Sequence, residues 1–175
     1  MLMARSYSAA LPAAYVVLKL LVLLNWLLGA AILILLVAMP TERWIMTELE
    51  LTPGPQAQRI VTGLRAILAV ALASIPLNHI VLKRLLAMVD TVRLGDPFVP
   101  ANAYRLQAIG WALLGLQLLS LVIGALALAI STPQRPLDFD AGFSATGWLA
   151  VLLTFVLARV FAVGALMRDD LEGTV

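Results

Sequence analysis

Cysteine is absent, histidine occurs once, and charge is scarce: 12 Lys and Arg face 10 Asp and Glu in 175 residues, for a net charge of +2. Without cysteine, disulfides, thiolate metal sites and cysteine nucleophiles are excluded. Familiar catalytic patterns are missing too, with no HExxH, no glycine loop to cradle a phosphate and no cluster of acidic ligands. "GFSATG" (142–147) resembles a nucleophile elbow, but it lacks the G-x-S-x-G spacing and has no histidine on its side of the chain. It reads as the interfacial start of a helix. The chain is expected to be no enzyme and to need no cofactor or metal. Its cations are scattered, which argues against direct nucleic-acid binding.

What abounds is apolar side chain. Hydrophobic residues make up 62% of the chain and the mean hydropathy is +1.00. They come in blocks instead of alternating with polar residues, as in a chain whose solvent is a bilayer. Four blocks reach the length of about 20 residues that a spanning helix needs, at 16–39, 60–82, 108–130 and 147–167. The expected fold is all-α: residues 1–175 form a single domain, a four-helix transmembrane bundle in the lipid bilayer. The first block is far longer than the roughly 7–15 apolar residues of a signal peptide, and no small-x-small site precedes Pro40, so it reads as a retained span.

Orientation follows from the cations. The termini and the central connection carry Arg5, Lys83, Arg84, Arg93, Arg105 and Arg168, whereas the other two loops carry Arg43, Arg59 and Arg135. The positive-inside rule then puts both termini and the central connection in the cytoplasm. The outer loops hold Glu42, Glu48, Glu50, Asp138 and Asp140, with Trp44, Phe139 and Trp148 placed for an interfacial aromatic belt. "LTPGPQ" (51–56) and "TPQRPLD" (132–138) read as proline-punctuated turns.

The central connection, "VRLGDPFVPANAYRL" (92–106), is polar amid apolar runs. Leu82, Leu85, Leu86 and Val89 keep helical spacing between charged residues, so helix two should continue beyond the bilayer to about Leu94. Gly95 stops it, and Pro100 stands at a first helical position with Asn102 near enough to satisfy free N–H groups. The elbow is a helix stop joined to a helix start.

Ionisable groups inside spans are functional candidates unless they reach an interface. Lys19, Arg65 and Arg159 lie near span ends, where snorkelling into the headgroups accounts for them; Arg159 could instead face helices two and three. His79 follows Pro76 near the inner end of helix two and reads as an interfacial histidine beside a kink, with a pH-sensitive or ligand-binding role as the alternative. No Asp or Glu falls in the spans, which weakens a proton-coupled transporter. Gln117, Ser120 and Ser74 read as interhelical hydrogen-bonding groups, and Ala66, Ala69, Ala73, Ser74, Gly110, Gly115 and Gly124 permit close helix approach. Such small residues serve contacts within one chain or in a homo-oligomer alike.

Residues 91–119, with 152–175, resemble the bacterial membrane-protein family designated domain of unknown function 2975. The resemblance rests on a G-[DN]-P-F-x-P-x-N elbow, here Gly95, Asp96, Pro97, Phe98, Pro100 and Asn102 followed by Arg105, and on the tail residues Leu171, Thr174 and Val175. The tail departs from the family in ending "LEGTV" where a "DLTV"-like ending is common. The family has four spans and no established activity. The resemblance implies a bacterial cytoplasmic (inner) membrane protein that holds a small helix-turn-helix regulator of the Cro/C1 type. On that reading the partner-binding candidates are Arg84, Arg93, Asp96, Phe98, Asn102 and Arg105 on the elbow side, and Asp169, Asp170, Glu172 and Val175 in a tail able to fold back on the basic elbow. The alternatives are a small-molecule or ion carrier, with Gln117, Ser120 and Arg159 lining a path, and a structural subunit of a membrane complex.

Overall fold

The computed structural model describes the backbone of residues 3–38, 54–131 and 142–172, and side chains within 11–37, 54–131 and 142–168. It is all-helical there: α1 (Met3–Ala38), α2 (Pro55–Arg93), α3 (Pro100–Ile130) and α4 (Ala145–Glu172). All four are long and apolar enough to cross a membrane. The protein is a multi-pass chain of four apolar helices, as composition required.

Helix ends obey local chemistry. Pro55 opens α2 at its first turn behind an extended Gly54, five residues ahead of the apolar block, because proline lacks the N–H that a first turn would leave unpaired. Ser144 caps α4 by accepting the Gly147 N–H at 3.1 Å on its Oγ, so "GFSATG" is a helix start. At 39 residues α2 is about 58 Å long, well beyond a hydrocarbon core of about 30 Å. It ends in a Schellman motif: the Gly95 N–H donates to the Val92 carbonyl and the Asp96 N–H to the Thr91 carbonyl, with Gly95 at φ +82°.

Packing follows chain order. α1 lies on α2, α2 on α3 and α3 on α4, with no other helix pair in contact among the described residues. Close approaches occur where a side chain is missing. Gly29 faces Ile75 across α1 and α2, Gly63 sits against Ile130 and Gly115 against Leu77 across α2 and α3, and Gly110 lies under the Phe155 ring of α4. Ile67, Ala127 and Ile130 form a small buried core between α2 and α3. Of the small residues expected at interfaces, Gly110, Gly115 and the buried Gly124 are inside, whereas Ala69 and Ala73 are exposed. The Ser74 hydroxyl donates to the Ala71 carbonyl of its own helix at 2.6 Å and bridges no pair of helices.

Candidate functional site: the elbow and the adjoining cleft

The elbow is held by a polar clamp around Asn102, which is fully buried. Its Nδ2 donates to Thr91 Oγ1 and to the Pro97 carbonyl, both at 2.8 Å, while its Oδ1 accepts from Arg105 Nη1 at 2.7 Å. Arg105 also reaches back to the Ala87 carbonyl at 3.2 Å. Asn102 therefore does not cap α3, whose start has no side-chain cap; it ties the end of α2 to the start of α3. The Asn102 amide makes both of its donations and its oxygen accepts, as burial away from water demands.

The same elbow docks onto α4. Asp96 pairs with Arg168, the Phe98 and Phe161 rings stack at 5.4 Å, and Gly164 lets the Phe98 ring approach the α4 backbone. On the opposite side Arg93 pairs loosely with Asp90 at 3.8 Å and lies over the Tyr15 ring, which Lys19 of α1 also approaches at 4.6 Å. Arg84 is exposed. Of the candidate docking residues, then, Asp96, Phe98, Asn102 and Arg105 are gathered by contacts within the chain. Asn102 shapes the face without being presented on it. The side chains of Asp169, Asp170, Glu172 and Val175 lie outside the described residues, as do Trp44, Phe139, "TPQRPLD" and the acids of the outer loops.

Contacts between helices also set depths. Trp26 meets His79, Leu77 meets Gly115, and Gly110 meets Phe155. Counting from these at about 1.5 Å per residue, Lys19, Lys83, Arg84 and Arg159 fall within about one helical turn of a common plane, and Gln107 joins them. All five are exposed. Lys19 and Arg159 are thus members of one cationic layer drawn from three helices, the pattern of a headgroup plane. Residues 86–105, with α4 beyond Arg159, project past it. The projection exposes Leu94 (84%), Tyr104, Leu166 and Met167.

Between α3 and α4 on this side lies a cleft of about 440 Å³, walled by Tyr104, Gln107, Phe155, Ala158, Arg159 and Ala162. Gln117 and Ser120 belong to the other end. Gln117 lies against Gly147, and Ser120 exchanges hydrogen bonds with the Gly142 backbone, holding the approach to α4. Gly147 and Arg159 are twelve residues apart on α4, or about 18 Å, so the three polar groups of a supposed path are not brought together. His79 accepts the Trp26 indole N–H on Nδ1 at 3.2 Å, the rings meeting edge to face. Arg65 is half-buried. Sequence reading missed Asn25, a buried amide in α1 that donates to the Ile75 carbonyl at 3.1 Å; its signal was a lone amide in a leucine run.

Comparison with models of known families, with curated proteins and with solved structures finds no match to this chain.

Proposed function

We propose that this chain is a non-catalytic protein of a bacterial cytoplasmic membrane that binds a partner protein on its projecting elbow face, with that face and both termini in the cytoplasm. The observation that carries this reading is the apolar exposure of Leu94, Tyr104, Leu166 and Met167 beyond the cationic layer. A projection into water would not expose such side chains together without something to cover them. The clamp around Asn102 gives the face a fixed shape, which lowers the ordering cost of binding. The abundance of Lys and Arg on this side favours the cytoplasm. A small helix-turn-helix regulator of the Cro/C1 type is the partner class that the resemblance implies.

The test is crosslinking in native membranes followed by isolation of the full chain. Wild type should bring down one soluble protein in fixed ratio, and Leu94→Asp with Met167→Asp should lose it while the chain stays at normal level in the membrane. Equal recovery by the double variant would overturn the docking face.

A further inference from the structure

The cleft between α3 and α4 combines small-residue walls with a guanidinium that no carboxylate among the described residues neutralises. The described carboxylates, Asp90 and Asp96, are engaged by Arg93 and Arg168, and no described residue pairs with Arg159. Asp169 and Asp170 lie ten and eleven residues further along the same helix, about 15 Å away along its axis, beyond reach of Arg159. Arg159 is therefore open to an anion from outside these groups.

We infer that this cleft binds an anionic phospholipid of the elbow-side leaflet, its phosphate held by Arg159 with the Tyr104 hydroxyl and the Gln107 amide. The three groups line one cleft at one end of α3 and α4. Arg159 and Gln107 lie at the level of the cationic layer, where lipid phosphates lie, and Tyr104 stands about one turn beyond it, so the ligand need not leave its own plane. Ala158 and Ala162 leave room for a headgroup because their side chains stop at one carbon. Phe155, one turn deeper, offers an apolar wall for the first part of an acyl chain, and the Trp111 ring packs edge to face on it at 5.3 Å. Guanidinium presents a planar fork that matches two phosphate oxygens, and tyrosine hydroxyl and glutamine amide add neutral donors. The site adjoins the apolar docking patch, sharing Tyr104 and Leu166 with it, and needs no partner protein.

Native mass spectrometry of the purified full chain, titrated with phosphatidylglycerol and with phosphatidylcholine of the same acyl chains, tests this. Wild type should retain phosphatidylglycerol preferentially. Arg159→Gln should lower that preference roughly fivefold, the worth of one Lys or Arg at an anionic surface. Arg84→Gln, which removes a cation from the same layer outside the cleft, should leave it nearly unchanged. Circular dichroism verifies that both variants fold. A shared decrease in the two variants would mean general surface charge and would overturn the site, as would equal retention of the two lipids by wild type. Displacement of the lipid by millimolar inorganic phosphate would also overturn it, by showing a free-anion site. A dimer that forms through the cleft and excludes lipid would overturn it in favour of a second copy.

Discussion

Asn102 makes three side-chain hydrogen bonds with no exposure to water, so its removal takes a partner from the Pro97 carbonyl and one Arg105 N–H and leaves the Thr91 hydroxyl only its bond to the Met88 carbonyl. Asn102→Ala is expected to destabilise the chain by about 1–3 kcal/mol, the penalty for buried polar groups left unpaired, and to do so by loosening the elbow. Thermal unfolding in detergent would show the decrease, and proteolysis within 92–100 would rise in parallel. The elbow motif was legible in sequence, yet its meaning was not. Residue type and spacing reveal that Asn102 sits near a helix start, but not whether its amide caps that helix or crosses to the one before. Gly63 is the complementary case. A methyl there would run into Ile130 Cγ2, so Gly63→Ala should destabilise by about 1–3 kcal/mol, and the same change should cost less in an Ile130→Ala background, where that carbon is gone. Nothing in the sequence separates Gly63 from other glycines, because the collision depends on which residue of a distant helix lies opposite.

The extension of α2 is the element that most defines the molecule's outline. Its end point was readable because three local signals coincide: amphipathic spacing up to Val89, a glycine able to take φ +82°, and a proline that can only start the next helix. Helix starts were less readable. α2 begins at Pro55 and not at the edge of the apolar block, since capping chemistry and not hydropathy decides where a helix begins. The turn makes a sharp prediction. Gly95→Ala retains every contact, because nothing lies within 4 Å of the added methyl, so its whole effect is the strain of a left-handed residue. About 1–2 kcal/mol of destabilisation is expected. Hydrogen exchange should quicken at the Gly95 and Asp96 amides, which close the end of α2, while amides in the middle of α2 keep their protection. Uniformly faster exchange along α2 would mean that the turn and helix are not separable in this way.

Taken together, the helices form a chain of neighbours and not a ring, and this shows in how little of each is covered. Leu20, Leu23, Leu24, Leu27 and Leu28 of α1 and Leu152, Leu153, Val156 and Val160 of α4 are all exposed, as lipid-facing residues would be. Hydropathy could foretell four spans but not this order of packing, since an apolar residue facing lipid and one facing a helix are the same in sequence. Orientation is open to direct measurement because the chain has no cysteine of its own. Single cysteines at Glu48 and Asp138 should react with an impermeant thiol reagent in intact spheroplasts, and one at Leu94 should react only after lysis. The packing order can be tested on the same background. An ideal Cβ at Gly29 would lie 3.7 Å from Ile75 Cβ, and one at Gly63 would lie 3.4 Å from Ile130 Cβ. Disulfides join Cβ atoms about 3.5–4.5 Å apart, so the Gly29→Cys, Ile75→Cys pair should oxidise readily and fix α1 to α2, and Gly63→Cys with Ile130→Cys should fix α2 to α3. Leu23 and Val156 stand at nearly the same depth, on the two outer helices, which do not touch. A Leu23→Cys, Val156→Cys chain should therefore stay reduced as a monomer. Protease cleavage between the helices followed by non-reducing electrophoresis distinguishes a bond within one chain from a bond between two. An intramolecular bond in that third variant would close the row into a ring and refute the open arrangement, whereas dimers alone would mean that the outer helices of two copies meet.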